Sequence, residues 1–188
     1  RDIVGTVVGK KWETRRGAEP NLGYRYTIKE DYGNTIIWIM GGKRLTIGMD
    51  GGVYTAASDG PINPSQAFTL VKQSGFNVAK IPPAIMGNQT IYVQNPSTNL
   101  RTFMWSEERG QFMSRSLTQQ SEHMFRDGIV QIAYQQDPYE ILWAVTKDGK
   151  MHSYCFNQEG KISAWTTHET TGNFLSVVSV NGVGLQNE

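Results

Sequence analysis

The residues that could carry chemistry are few, and they begin with a histidine and a cysteine three positions apart. His152 and Cys155 could form a metal pair, or a nucleophile with its base. The run around them predicts a strand, however, and residues three apart on a strand point to opposite faces. Cys155 is the only cysteine, and neither a nucleophile elbow nor a zinc-ligand spacing surrounds it. We therefore predict no metal centre and a buried, inert thiol packed between Tyr154 and Phe156.

Acidic pairs and one glycine-rich turn are the remaining candidates for catalysis. A glycosidase needs two acids that flank the scissile bond, and the candidates are Asp137 with Glu140, Glu30-Asp31 and Glu107-Glu108. Every pair falls at a predicted turn, where solvated acids are expected. Gly41-Gly42-Lys43-Arg44 lacks the earlier glycine and the following hydroxyl residue of a phosphate-binding loop. A hydrolase with acids at its loop tips stays open as an alternative, because the separation of two carboxylates cannot be read from a sequence. The sequence nevertheless predicts a protein without catalytic residues, metal ligands or cofactors.

Two further features could bind ligands. The stretch from Lys10 to Arg16 could contact phosphates, although such stretches are more often solvated loops or subunit contacts. Tryptophans in strand-like runs could bind a glycan, but packing between twisted sheets is the commoner role of such rings; they are Trp38, Trp105, Trp143 and Trp165. Both alternatives stay open, and a formal net charge of +1 gives no general attraction to a polyanion.

Short apolar β-runs separated by glycine turns must position all of these residues. Asp50-Gly51 and Asp148-Gly149 each join two such runs, and Asp-Gly favours the tight hairpin turn whose twist matches its strands. Both faces of the run from Ile141 to Thr146 are largely apolar, so we expect a sheet that is covered on both sides. This pattern predicts an all-β protein.

A strand–turn–strand unit recurs at intervals of about 45 to 51 residues, which is the scale of a four-stranded propeller blade. The three units are Leu45–Ala56, Thr90–Trp105 and Ile141–Phe156, and each is preceded by a short strand. Leu175–Val180 is expected to open a fourth unit. We predict a partial β-propeller of antiparallel blades, with a β-sandwich or an irregular β-domain left open as the alternative.

The predicted blade units occupy residues 36–188, about three of them with the last truncated, and residues 1–35 are not assigned. Ser116–Arg126 lacks Gly and Pro and is expected to form one short helix that connects two blades. Neither an initiator Met nor a signal peptide opens the sequence, so we expect its ends to lie inside a longer protein. No apolar run approaches the ~20 residues of a membrane helix, and we expect no membrane partner.

A series of motifs runs through the C-terminal half of the chain: Ala133-Tyr134-Gln135-Gln136-Asp137-Pro138, a strand with Trp143, Asp148-Gly149, Ala164-Trp165-Thr166-Thr167-His168 and Ser176-Val177-Val178. This series resembles the tail nozzle proteins of short-tailed and related bacteriophages, also called tail tubular or stabilisation proteins. Ser121-Glu122-His123 is similar to that family's A-E-H segment, with Ser121 in place of Ala. Further similarity at Ile36–Ile39, Leu45–Gly48 and Gly51–Tyr54 extends the resemblance over residues 36–182.

The resemblance implies a non-enzymatic, propeller-based subunit of a phage or prophage tail. Such a subunit forms a homo-oligomeric nozzle ring below the portal, through which DNA leaves the virion. The implied partners are other tail and portal proteins, and non-specific contact with the exiting DNA is a further expectation. The implied location is the virion, after synthesis in the bacterial cytoplasm. A glycan- or receptor-binding propeller module of a phage tail is the alternative function.

Overall fold

The computed structural model describes residues 2–17, 19–28, 35–42, 44–57, 62, 64, 68–157 and 162–180. These residues form antiparallel sheets and one short 3₁₀ helix, and no α-helix is found among them. The all-β class predicted from the sequence is therefore confirmed. The strands are β1 (Asp2–Gly5), β2 (Tyr24–Thr27), β3 (Ile36–Met40), β4 (Thr46–Met49), β5 (Gly52–Ala57), β6 (Thr69–Ser74), β7 (Ala84–Met86), β8 (Gln89–Gln94), β9 (Asn99–Ser106), β10 (Gln111–Ser116), β11 (Ile129–Gln135), β12 (Ile141–Thr146), β13 (Met151–Asn157) and β14 (Ile162–His168).

The chain divides into two compact units, residues 1–78 and 79–188. The first unit holds a β1–β2 pair and a four-stranded sheet in which β3 to β6 lie in chain order. Ile3, Tyr24 and Tyr26 of the β1–β2 pair join a core with Ile47 and Tyr54 of the four-stranded sheet. Much of the N-terminal region that the sequence left unassigned therefore packs as part of this first unit.

A glycine in the first unit makes room for a tryptophan. Gly48 of β4 lies opposite Trp38 of β3 in the strand register. A Cβ added at Gly48 would lie 2.2 Å from the Trp38 indole, so the ring occupies the space that any side chain at Gly48 would need. Trp38 is only 7% exposed, so its ring is closely packed at this position of the sheet.

The second unit contains two four-stranded sheets, each with its strands in chain order. We call β7–β10 the second sheet and β11–β14 the third sheet, counting β3–β6 as the first. The second and third sheets pack face to face around one core. The core residues are Met86, Ile91, Val93 and Leu100 from the second sheet, Ile129, Ile132, Leu142, Ala144 and Tyr154 from the third, and Ala79, Ile81 and Phe125 from the flanking segments.

The connection between these two sheets corrects the predicted helix over Ser116–Arg126. Only Glu122–Phe125 is helical, as a single 3₁₀ turn. The chain before it continues the sheet, because the Leu117 amide donates to the Leu100 carbonyl at 2.8 Å. The Thr118 hydroxyl then bonds the side chain of Asn99 at 2.8 Å, as threonine commonly does in competition with helix formation.

The strand predicted at Leu175–Val180 is also absent from the described structure. These residues have no regular secondary structure. Leu175, Val178 and Val180 are between 79% and 84% exposed, and no described strand pairs with them. An isolated strand is not stable in water because its backbone groups lack partners, so the β-pattern of the sequence is not realised here.

Replacing Gly48 by Ala tests how tightly the first sheet is packed. We expect Gly48→Ala to lower the free energy of unfolding by about 1–3 kcal/mol, because the new methyl group would collide with the Trp38 ring. Gly41→Ala is the matched control, since no atom lies within 4 Å of its Cβ position. Urea unfolding measures both variants, and equal losses of stability would contradict the packing described.

Candidate functional site

A cleft lined mainly by polar side chains lies in the second unit. This cleft of about 500 Å³ opens between the 3₁₀ helix, the β12–β13 turn and the end of β14. Three of the sequence motifs reach it or flank it: Ser121-Glu122-His123, Asp148-Gly149 and the segment that ends at His168. The lining residues are His123, Met124, Asp127, Asp148, Lys150, His152, Thr167 and Glu169.

His152 lies at the buried base of the cleft and is 1% exposed. Its Nδ1 atom is 3.1 Å from the Thr167 hydroxyl, and its Nε2 atom is 3.4 Å from the Thr146 hydroxyl. Thr146 donates its single hydroxyl proton to Asp148 at 2.5 Å, so its oxygen accepts from Nε2–H of His152. Nδ1 then accepts from Thr167, which leaves a neutral ring with both nitrogens occupied.

Burial is the main cause that lowers the pKa of His152 below its ordinary value near 6.5. Protonation would place a charge in a desolvated position, and the neutral ring already has both of its hydrogen bonds. The nearby Asp148 carboxylate acts in the opposite direction, but its effect is smaller. The ring is therefore suited to neutral packing rather than to proton transfer near neutral pH.

Ion pairs close the outer side of the cleft. Lys150 Nζ is 3.2 Å from a Glu169 oxygen and 3.8 Å from an Asp148 oxygen. The hydrogen bond to Glu169, followed by the charges of Glu169 and Asp148, raises the pKa of Lys150. The hydrogen bond from Thr146 is the main cause that lowers the pKa of Asp148. These side chains satisfy one another, and exposed pairs of this kind contribute little to stability.

Four residues behind the cleft fasten the connecting segment to the third sheet. We call Leu117, Phe125, His152 and Trp165 the inter-sheet latch. The Trp165 indole N–H donates to the Leu117 carbonyl at 2.9 Å. The Phe125 ring meets Trp165 edge-on at a centroid distance of 4.8 Å and lies 5.0 Å from the His152 ring. The latch thus joins β13 and β14 to the segment that leaves the second sheet.

A second set of motif residues packs on the opposite face of the third sheet. Trp143 donates to the Gln135 side chain at 3.0 Å and lies 5.3 Å from the His168 ring. His168 Nε2 is in turn 2.8 Å from the Ser153 hydroxyl. The Gln, Trp and His positions of the motif series therefore contact one another across β11 to β14, in the manner of packing residues.

The structure separates the histidine and cysteine considered as a pair. His152 is buried on the inner face of β13 and Cys155 is exposed on the outer face, as strand geometry predicted. The expectation of a buried Cys155 was wrong, because the outer face at this position is open. Within the described ranges, no three His, Cys, Asp or Glu side chains are placed to share a metal ion.

The acidic pairs are not brought into an enclosed site. Glu107, Glu108, Asp137 and Glu140 are all exposed. Burial raises the pKa of Tyr134, and the neighbouring Glu140 carboxylate adds to this rise. Glu30-Asp31 and Lys43 lie outside the described residues.

The strand tryptophans do not form an open platform. Trp38 is buried, Trp143 and Trp165 are half-buried, and Trp105 is 39% exposed with its edge against Phe112. Such positions suit packing between sheets more than stacking on a sugar ring.

Part of the basic stretch near the N-terminus is neutralised internally. Lys10 lies 2.7 Å from Glu13, and Arg15 lies 3.7 Å from the same side chain. Trp12 projects from this loop with 93% of its surface exposed.

Comparison of the sequence with family models and with curated proteins identifies no relative. The chain matches no protein-family model, and no curated protein is significantly similar to it in sequence. In the part of the chain that the structure describes, no helix has the length and apolar character required to span a membrane.

The buried histidine predicts how stability depends on pH. Since the pKa of folded His152 lies below its unfolded value, unfolding takes up a proton at mildly acidic pH. The contribution of His152 to the free energy of unfolding should therefore be fully present above about pH 6.5. It should decrease as the pH drops below this value, by at most about 1.4 kcal/mol per pH unit. We expect His152→Gln to flatten the dependence of the unfolding free energy on pH between pH 7.5 and 5. Urea unfolding over this range measures it, and a dependence that survives in His152→Gln would refute the assignment.

The latch hydrogen bond gives a second prediction. Trp165→Phe keeps an aromatic ring beside Phe125 but removes the donor to the Leu117 carbonyl. We expect a loss of about 1–3 kcal/mol, because a shielded carbonyl is left without its partner. Trp12→Phe, at a fully exposed ring, should change stability by less than about 0.5 kcal/mol. Equal effects of the two substitutions on thermal unfolding would rule out a structural role for the indole N–H.

Proposed function

We propose that this chain is a non-enzymatic structural component of a phage or prophage tail. In this proposal it forms part of a nozzle or tail-tube ring through which DNA leaves the virion. The proposal rests on the resemblance of residues 36–182 to tail nozzle proteins, and on the way the described structure uses the residues that carry this resemblance.

The observation that carries the proposal is that the distinctive motif residues are packing residues. Trp165 bonds the Leu117 carbonyl, Trp143 bonds Gln135, and His168 bonds Ser153. Their polar atoms face neighbouring strands or the connecting segment rather than a shared reaction centre. A sequence signature made of such residues favours a protein that is selected for its assembly rather than for catalysis.

Exposed apolar side chains on the sheets also support a protein that works within an assembly. Ile85, Val130 and Ile162 are between 39% and 50% exposed, although each belongs to a strand. Such side chains leave water when neighbouring sheets or subunits cover them. A ring in which each subunit contacts two others provides that cover, and non-specific contact with exiting DNA requires no further site.

Imaging of the polypeptide as its gene encodes it tests the proposal. We expect negative-stain images and light scattering to show a ring, or co-assembly with the tail and portal proteins of the same genome. Tail and portal proteins from an unrelated phage are the control and should not co-assemble. A stable monomer that binds none of its own genome's tail proteins would overturn the proposal.

A further inference from the structure

The outer face of the third sheet is only partly covered. The strand register places Trp143, Val145, Met151 and Ser153 on this face, opposite the face that packs against the second sheet. Val145 is fully buried, whereas the other three side chains are half-exposed. A β-sheet with two largely apolar faces is stable when both are packed, so this face lacks part of its cover.

The corresponding face of the second sheet is completely covered. Counting from the turn between the middle strands, Ile91, Val93, Leu100 and Thr102 correspond to Trp143, Val145, Met151 and Ser153. All four residues of the second sheet are at most 5% exposed. The third sheet packs on this face, with Ile129 and Ile132 of its first strand in the shared core. The face of the second sheet is therefore buried because the third sheet follows it, whereas the outer face of the third sheet is half-exposed because no described sheet follows it.

One hydrogen bond marks where the following sheet begins. Ser97, in the β8–β9 turn, has a φ of 81°, and its carbonyl accepts from the amide of Ile129 at 2.7 Å. Gly149, in the β12–β13 turn, has a φ of 80°, and its carbonyl accepts from the amide of Phe174 at 2.9 Å. Ile129 is the first residue of β11. Phe174 thus occupies the place of the first residue of a strand that would follow the third sheet.

The residues after Phe174 repeat the burial pattern of β11. In β11, Ile129 and Ile132 are buried and Val130 between them is exposed. In the later segment, Phe174 and Val177 are half-buried and Leu175 is exposed. The Val177 amide also donates to the Gln131 side chain at 3.2 Å, which holds the segment against the third sheet.

We propose that residues 174–180 are the first strand of a further antiparallel sheet, whose other strands come from the same polypeptide and cover the outer face of the third sheet. Each of the three four-stranded sheets in the described structure consists of strands in chain order, without exchange between sheets. The added strands are therefore expected to follow residue 180 in the same polypeptide. Leu175, Val178 and Val180, each exposed to about four-fifths, would then be covered when the added strands are in place. This inference concerns packing alone and does not depend on the proposed function.

Cysteine accessibility in the polypeptide as its gene encodes it tests the inference. Ser153→Cys places a thiol on the outer face of the third sheet, and Thr102→Cys places one at the corresponding buried position of the second sheet. Glu108→Cys, in an exposed turn, reports the unhindered rate. After maleimide labelling and site-resolved mass spectrometry, we expect Ser153→Cys to react as slowly as Thr102→Cys, more than about tenfold slower than Glu108→Cys.

The other outcomes overturn the inference. Labelling of Ser153→Cys as fast as Glu108→Cys means that nothing covers the face. Protection that disappears on dilution means that a second copy of the chain covers it. Hydrogen exchange on the unsubstituted polypeptide gives an independent check, because the amides of Val178 and Val180 should be protected like those of β11, and exchange as in an open segment contradicts the proposal.

Discussion

The structure of the second unit depends on one constraint, which is that the facing apolar surfaces of its second and third sheets must be buried against each other. In the second unit, the second sheet buries Ile91 and Val93 against Ile129 and Leu142 of the third. Burying an aliphatic side chain of this size contributes about 1.5–3 kcal/mol, so neither sheet is expected to be stable without the other.

The buried polar contacts follow from this packing. A connecting segment has to leave one sheet and enter the next, and its backbone groups need partners where the sheets exclude water. The Trp165 indole supplies one partner at Leu117, while Thr146 and Thr167 satisfy the His152 ring. His152, which looked suited to chemistry in the sequence, is thereby used to hold the sheets together. This use links the motif series to a structural role.

Local patterns predicted most of the strands, because alternating apolar runs and Asp-Gly turns act between near neighbours. The helix expected over Ser116–Arg126 failed since Thr118 pairs with Asn99, a partner 19 residues away that no local pattern indicates. Cys155 was expected to be buried from its aromatic neighbours, yet its exposure depends on what covers the whole outer face. The latch was missed for a similar reason: Leu117 and Trp165 are 48 residues apart. The sequence indicated such contacts only through the apolar character of both faces of the run from Ile141 to Thr146.

Native-state hydrogen exchange measures the central claim that the second and third sheets share one core. We expect the amides of Val93, in the second sheet, and Ala144, in the third, to exchange through a single opening with the same free energy and the same denaturant dependence. The Trp165→Phe substitution should lower both free energies by equal amounts. Opening of one sheet at a clearly lower free energy, with the other still protected, would contradict the account, because each sheet would then be stable without its neighbour.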